Sequence, residues 1–517
     1  MKKDKKIFLY MFLMVGVLLW ITGCKQFLDR KPLSPTLTDY GSVLDGQAIG
    51  MYSIFNSWAG FNTLPWLDFN SIRDDDAQKG SSQTDGAEIN SEFETFQYTK
   101  DDWATDTYWN DHFYMIGLTN KILHDADSLK VSDEASLRNV GEARFFRAYA
   151  FFDLVKAYGP VPLLNFYSSN AADNIKPKAT VDAIYAQIDS DLNVAAQYLP
   201  LNWEVAGTNR YPGRITSGAA KSLWAQTNLQ RKNWAVVVTL CQDIINSGQY
   251  SLTPKYEDIW KDGLNGAGKN GPESIFEMQA TIGANGTNNY GTAWATSQNV
   301  RKDDGAHPWN LGWGWNTPTQ HLVDAWDPTD PRKNKTILFS GQSDGGPAEG
   351  GYGAELPPYG ASQKGDSIPR KYWNKKVYSD PQMRQFTGSP HGADWINHRI
   401  IRYADVLLML AEAANETGDG GTAESMLEQV RARARGGNNA VLPHIAFAGQ
   451  AQMRTAIKDE RRWEFAMEGY RFNDLVRWGD AQSVLGGLGY QPRNALYPIP
   501  QPAIDLSGGV LIQNPDY

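Results

Sequence analysis

Apolar residues at Val140, Ala143, Phe146, Ala150 and Leu154 recur three or four positions apart. That is the period of one helix face, and it predicts a helix over residues 137–158. Gly159-Pro160 stops it. Thr180 opens a second helix through Ile184, Ile188, Leu192 and Ala195. Residues 219–229 and 234–245 read as a helix–turn–helix pair, and residues 403–415 and 423–434 as another, joined by Gly418-Asp419-Gly420-Gly421. Small alanines stand where two helices must approach closely. The series Ala220, Leu223, Ala225, Leu229, Ala235 is of the kind found in tetratricopeptide-like units. The first pair carries a long insert over 161–179, so the period is irregular. The expected fold is all-α dominated: a tetratricopeptide-like scaffold of stacked helical hairpins with long irregular loop insertions.

Helical periodicity fades in the middle of the chain. Residues 262–395 hold 20 of the 48 glycines, with prolines between them, a composition of loops and turns. Trp294, Trp309, Trp313, Trp315, Trp326 and Trp373 lie in the same stretch. Disordered segments are poor in aromatics, so these loops are expected to be ordered and laid over the scaffold. A second irregular stretch, 56–102, holds Trp58, Phe61, Trp66 and the run Asp74-Asp75-Asp76. The helical scaffold then covers about 36–250 and 396–480. A loop-rich, ligand-side insertion covers about 251–395, and an extended segment 481–517 closes one domain, 24–517.

The N-terminus changes the compartment. Lys2, Lys3, Lys5 and Lys6 precede an apolar run from Ile7 to Ile21, too short to span a bilayer comfortably, since a spanning helix needs about 20 apolar residues. This order is that of an export signal. The run ends in Ile21-Thr22-Gly23-Cys24, the junction a lipoprotein signal peptidase needs. Residues 1–23 therefore read as a signal peptide and Cys24 as the acylated, palmitate-bearing N-terminus. Two or more acyl chains hold a protein stably on a membrane. The chain carries net charge −9, and losing residues 1–23, with four Lys and one Asp, leaves −12. No basic face is clustered as a nucleic-acid binder requires. Cys241 sits in an apolar helical pattern and reads as a core thiol.

Candidate chemistry is sparse. Gly341-Gln342-Ser343-Asp344-Gly345 matches the G-x-S-x-G elbow, but Gly346-Pro347 cannot easily begin the required helix, so it reads as a turn. The seven histidines show no HExxH spacing, and no metal site is expected. Asp74-Asp75-Asp76 lacks the alternating ligands of an EF-hand loop; it reads as a solvated turn and leaves calcium open. The charge-dense stretch 459–480 holds Glu460, Arg461, Arg462, Glu464, Glu468, Arg471, Asp474 and Arg477. Glu464 and Glu468 resemble a glycosidase carboxylate pair only superficially, because four residues apart on one helix they lie side by side. A structural ion-pair network is expected of Arg461, Glu468, Arg471 and Asp474, and of Glu142 and Arg147, with Glu468–Arg471 and Asp474–Arg477 as i,i+3 partners. The segment Trp309 to Asn316 sets three indoles on a glycine-rich loop. Indole faces suit the CH faces of pyranose rings, and asparagine suits hydroxyls. Trp309, Trp313, Trp315 and Asn316, with Trp66, Arg73 and Asp74, are therefore the candidate ligand residues. The alternative is that the tryptophans plug the scaffold.

Four stretches together resemble one family. They are Cys24-Lys25-Gln26-Phe27-Leu28-Asp29; Glu142-Ala143-Arg144-Phe145-Phe146-Arg147-Ala148-Tyr149 through Tyr158-Gly159-Pro160; Tyr403-Ala404-Asp405-Val406-Leu407-Leu408 with Glu460-Arg461-Arg462 to Glu468-Gly469-Tyr470-Arg471 and Asp474-Leu475; and Tyr497-Pro498-Ile499-Pro500 with Gln513-Asn514-Pro515-Asp516-Tyr517. The chain resembles the SusD/RagB nutrient-uptake lipoproteins of the outer membrane. The resemblance implies four tetratricopeptide-like helix pairs. It also implies non-catalytic capture of oligosaccharides at the cell surface, and delivery to a SusC-like TonB-dependent transporter. None of the matching motifs carries ligand residues. A peptide-binding subunit of the RagB type and a surface glycoside hydrolase are the alternative readings.

Cys24→Ala is expected to abolish metabolic palmitate labelling and release the protein from membranes. Labelling equal to wild type would contradict acylation at this cysteine.

Overall fold

The computed structural model describes residues 41–81, 92–205, 208–209, 211–262, 268–281, 291–301, 311–356, 358–360, 362–363, 366–367, 370–380 and 394–517. Cys24, the export segment and Trp309 lie outside them. The chain enters through α1 (Asp45–Phe55) and α2 (Leu64–Asn70) and then strand β1 (Ala77–Gly80). The long helices α3 (Trp103–Leu129), α4 (Glu134–Tyr158), α5 (Val181–Tyr198), α6 (Ser217–Gln230) and α7 (Trp234–Asn246) follow. Next come strand β2 (Ser274–Met278), α8 (Ala293–Gln298), strand β3 (Trp315–Pro318), α9 (Gln320–Ala325), α10 (Arg332–Thr336) and strands β4 (Ile337–Phe339) and β5 (Tyr372–Asn374). Strand β6 (His398–Arg402) leads into α11 (Tyr403–Thr417), α12 (Gly420–Arg435), α13 (Gln450–Glu464) and α14 (Arg471–Trp478).

Each of α3 to α7 packs on the next; α7 then packs on α11, α11 on α12 and α12 on α13. These eight helices form one continuous stack, the four pairs that the family pattern implies. Residues 247–402 are an insertion between two helices that touch. The local chemistry follows the sequence closely. Asp133, Thr180, Thr216 and Asp419 cap α4, α5, α6 and α12 by accepting backbone N–H bonds, which satisfies donors that a helix start leaves unpaired. Gly159 ends α4 at φ 69°, and a Cβ there would lie 2.9 Å from Leu496, so both conformation and space require glycine. Ala220, Leu223, Ala225 and Leu229 are buried as the hairpin pattern demands, but Ala235 faces outward.

Two helices inside the expected scaffold have weak periodicity, and the closing segment departs from the expectation. α1 and the 27-residue α3 carry few regularly spaced apolar residues; α3 buries polar Thr105, His112, Thr119 and Asn120 among its apolar face. The closing segment is not wholly extended, since Ala481–Leu485 and Gln501–Leu506 are short helices. It clasps the scaffold: Tyr497 N–H donates to Ala157 O at 2.7 Å, and the Asn514 amide donates to Tyr158 O and Tyr497 O at 2.9 and 2.8 Å. Tyr497 stacks on Phe69 at 3.9 Å, and Phe69 on Tyr108 at 4.0 Å.

The described residues of the insertion build small cores of their own. One gathers Val300, Leu311, Leu338, Leu356, Trp373 and Tyr378. Another joins Leu322, Val323, Trp326 and Ile337 to Ala466 and Met467 of the scaffold. Antiparallel pairs β1/β3, β2/β6 and β4/β5 tie it together. The G-x-S-x-G stretch is a turn as expected: strand β4 precedes it, and a single 3-10 turn, Pro347–Glu349, follows. The Asp344 carboxylate organises that turn, accepting N–H bonds from Gly346, Tyr352 and Gly353.

The charged stretch is a buried network, but its partners lie elsewhere in the chain. Glu464 is fully buried and meets Arg402 at 3.0 Å, Arg332 at 3.1 Å and Arg433 at 2.5 Å. Glu468 pairs with Arg402 and Lys376, not with Arg471. Arg471 reaches Asp75, at 2.8 Å. Arg461 bridges Asp405 and Asp474, and the expected Asp474–Arg477 pair is present. Glu142 and Arg147 belong to separate clamps, Glu142 with Arg214 and Arg147 with Asp191. Periodicity along one helix sees only i,i+3 and i,i+4 neighbours, so it could not supply partners that lie 31 to 396 residues away.

Burial alone would raise the Glu464 pKa, yet Arg433, Arg402 and Arg332 hold it down at about 2, against an ordinary 4.5. A carboxyl depressed in the folded state contributes stability that is full above the ordinary pKa and lost as pH falls through the folded one. The contribution, about 3 kcal/mol, should therefore fade between about pH 4.5 and pH 2. Glu464→Gln leaves three guanidinium groups short of a carboxylate. It should lower stability at pH 7 by about 3–5 kcal/mol and flatten the acid limb of the Tm–pH curve. Parallel curves for mutant and wild type would contradict this role.

Candidate functional site

Helix α8 is the bracket on which the aromatic loop hangs. All six of its residues are buried. At its start, Ala293 N–H donates to Trp58 O at 2.9 Å; near its end, Thr296 O accepts from Trp313 N–H at 2.9 Å. A six-residue helix is about 9 Å long, so Trp58 and the Trp313–Trp315 pair flank a short rigid spacer. Trp58 is 40% exposed, and Trp313 and Trp315 are half-buried. The Trp313 and Trp315 rings meet edge to face, centroids 5.2 Å apart at 66°, an arrangement that aromatic quadrupoles favour.

The glycines of this loop are there for contact. A Cβ on Gly312 would lie 2.0 Å from Thr296 O, and one on Gly314 would lie 2.9 Å from both Arg301 and Trp373. Gly80, facing Trp315 across the β1/β3 pair, has φ 81° and leaves 2.3 Å between a built Cβ and Gly314 O. Glycine thus lets the loop lie flat against α8 and β1. Arg370 steadies the β1 end by donating to Gly80 O and Ser81 O at 2.8 and 2.9 Å, and Arg301 bonds the Ser81 hydroxyl. The Gln298 carbonyl on α8 accepts from the Asn316 and Asn374 amides at 2.7 and 3.0 Å. Sequence reasoning did not find Arg301, Arg370 or Gln298, because each acts on a backbone brought close only by folding.

The other candidates are internal. Asn316 has no exposed surface, and it also accepts from the Ser71 hydroxyl at 2.8 Å with its own φ at 49°. Its role in the structure is to pin β3. Arg73 lies in the core with its guanidinium over Phe472 and Tyr497, at 3.6 and 4.0 Å from the ring centres. Trp66 is wedged against Gly469 and meets the His398 ring edge-on at 4.6 Å. Trp294 covers the other side of His398 at 4.1 Å, and burial depresses that imidazole to about 3. His398 is therefore neutral at physiological pH.

The acidic run is buried, which corrects the expectation of a solvated turn. Burial first, then the neighbours Asp76 and Asp75, push the Asp74 carboxyl well above the usual range, and its Oδ1 accepts from Asp76 and Ala77 N–H. Asp75 is burdened by burial but held low by Arg471 and Arg462. Asp75, Asp76 and His321 each bring a ligand atom within 4.8 Å of the others, yet Arg462 and Arg471 already pair with these carboxylates. The cluster clamps the strap before β1 onto α13 and α14. Cys241 is a buried thiol, raised well above its ordinary pKa by burial and by Asp405.

Fold and site together define a class: a helical-hairpin scaffold carrying an ordered loop face rimmed by tryptophan. Two family models match successive parts of the chain, one described as starch-binding associating with outer membrane over residues 26–229, the other as the SusD family over residues 272–495. The chain belongs to the SusD/RagB family. It is 25% identical to SusD-like protein P2 of Formosa agariphila, over 98% of this chain and 99% of that one. Among solved structures it is similar to a laminarin-binding SusD-like protein, with 27% identity, TM-score 0.72, and 91% of this chain and 98% of the other covered. A surface glycan-binding protein A from Bacteroides fluxus is similar too, at 25% identity and TM-score 0.71, covering 92% and 99% of the two chains.

Trp66 and Trp313 should separate cleanly on mutation. Trp66→Ala empties a buried site and should cost about 3–5 kcal/mol. Trp313→Ala, at the half-exposed rim, should lower Tm by much less. Thermal melts of both test the division between wedge and platform; equal losses would place the rim tryptophans in the core.

Proposed function

We propose that this protein captures glycans at the outer surface of the cell and hands them to a SusC-like TonB-dependent transporter, without catalysing their cleavage. The observation that carries the reading is the whole-chain likeness, at 27% identity and TM-score 0.72, to a protein described as laminarin-binding. The tryptophan rim supports it: indole faces offer flat apolar platforms for pyranose rings, and Trp313 and Trp315 are held by backbone bonds rather than by chain flexibility. Binding sites set on a rigid support lose less ordering entropy when occupied.

The hydrolase reading loses its best carboxylates. Glu464 and Glu468 are buried, each committed to guanidinium partners, and Glu464 is held ionised far below physiological pH. A retaining or inverting glycosidase needs two carboxyl groups on opposite sides of an accessible sugar bond, one of them with a raised pKa. Among the described residues, no helix is long and apolar enough to cross a membrane. Attachment through acylated Cys24 is the anchoring mode proposed here, on the Ile21-Thr22-Gly23-Cys24 junction.

Titration calorimetry with laminarin-type β-glucan oligosaccharides, run beside an assay for reducing-end release, tests the function. Binding without release is expected. Trp313→Ala or Trp315→Ala should weaken binding about tenfold, since aromatic contacts contribute about 0.5–1.5 kcal/mol beyond burial. New reducing ends would reinstate the hydrolase. Heat from peptides with silence from every glycan would replace the ligand class.

A further inference from the structure

A second cleft, on the helical scaffold, has the makings of a binding site. It encloses about 440 Å³ between α3, α4, α5 and the strap that follows Gly159. That lies within the roughly 300–1,000 Å³ typical of small-ligand sites. Its floor is cationic. Asp191 is fully buried and accepts from two arginines at once: Arg147, by Nε and Nη2 at 2.8 and 2.7 Å, and Arg144, by Nη1 at 2.7 Å. One carboxylate therefore serves two guanidinium groups. Arg147 spends its remaining donors on Asn120 and Asn165 O. Arg144 does not: its Nε is buried with no hydrogen-bond partner among the described residues. That Nε is closed to solvent, so what Arg144 offers to the open cleft it lines is its Nη2 end, with the side chain 29% exposed.

The walls are of a different kind. Phe166 and Tyr167 project from the strap, 37% and 39% exposed, although both are large and apolar. Tyr167 lies against the His124 ring at 5.0 Å, with the Lys121 ammonium 5.5 Å from its ring centre. Asn165 and Gln187 also line it, the Asn165 side-chain N–H donating to the Gln187 side-chain carbonyl at 2.9 Å. Aromatic faces, amide donors and acceptors, and one under-partnered guanidinium thus converge on a single space.

We infer that this cleft binds a carboxylated sugar unit, with Arg144 receiving the carboxylate and Tyr167 or Phe166 stacking on the pyranose ring. The pyranose half rests on the glycan reading above; the carboxylate half rests on the arginine geometry alone. A guanidinium donates charge-assisted N–H bonds to a carboxylate, here against a chain of net charge −9. A locally cationic floor therefore selects for an anion rather than merely tolerating one.

Calorimetry of the full chain in detergent with trigalacturonic acid, maltotriose and sodium acetate tests this. Trigalacturonic acid should bind. Arg144→Ala and Tyr167→Ala should each weaken that binding about tenfold or more. Arg144→Ala is expected to fold, because Asp191 keeps both bonds from Arg147, and equal Tm values check this; Tyr167→Ala, at an exposed position, carries the test if they differ. Maltotriose should show no loss on Arg144→Ala. No trigalacturonic acid binding, binding indifferent to both cleft variants, or acetate binding as tightly as the sugar acid would overturn the inference. Loss on Trp313→Ala instead would move the acid to the tryptophan rim and leave the general glycan reading standing.

Discussion

Everything else in this molecule is referred to the buried charge network around Glu464. Removing a carboxylate from water is expensive, and only close opposite charges with good geometry offset it. Here the balance closes within one cluster: Asp330, Glu273, Glu460, Glu464 and Glu468 face Arg332, Arg402, Arg431, Arg433 and Lys376, five acids and five bases, all buried. The members come from the strand edge at β2, from α10, β6, α12 and α13, from the turn after α13, and from the 3-10 turn Lys375–Val377 that follows β5. The pairs are interlocked rather than separate, since Glu464 meets three arginines and Arg402 meets three glutamates. The network is a device for specifying which segments meet, because a misplaced element would bury an unpaired charge, at a cost larger than any single apolar contact returns.

That constraint explains how a stack of helices tolerates an insertion of residues 247–402 between two helices that touch. α7 and α11 pack as consecutive members of the solenoid. The insertion leaves through β2 and returns through β6, and these two strands pair antiparallel. Glu273 beside β2 and Arg402 at the end of β6 carry the network across that pair. The exit and re-entry points are thus stapled by charge and by backbone ladder, and what lies between is free to be built as loops. Loops positioned by a rigid scaffold are where binding function concentrates.

The sequence made the scaffold legible in proportion to how local its causes were. Helices α4 to α7, α11 and α12 follow from apolar spacing, cap residues and glycine stops, all within a few positions. α3 falls inside the expected scaffold, but its bounds were not legible because its buried face is partly polar: His112 is satisfied by Asp153 at 3.2 Å and by Tyr108 O, partners that periodicity cannot register. The burial of Asp74-Asp75-Asp76 was illegible for the same reason, since three consecutive acids read as solvated until Arg462 and Arg471 are brought to them from almost four hundred residues away. The tryptophan loop was visible as a composition, but its division into platform and wedge was not. Asn316 looks like a ligand residue in sequence and is a strut in space, because both ends of its amide are already engaged.

The glycines of that loop carry the last step of the argument. A glycine-rich segment suggests mobility, and a mobile aromatic loop would bind weakly, since ordering side chains and backbone on binding consumes much of the contact energy. The geometry here reverses the inference. Gly80, Gly312 and Gly314 stand where any Cβ would strike a backbone oxygen or a packed side chain within 3 Å. Glycine at these positions removes steric volume between loop, helix and strand, and the closeness it permits is what fixes Trp313 to Thr296 and sets Trp315 in register with β1. The same residue type that loosens an unpacked loop tightens a packed one. A platform held in this way offers its indole faces already in place, and substituting its glycines should loosen ligand affinity through disorder of the tryptophans rather than through any contact the glycines themselves make.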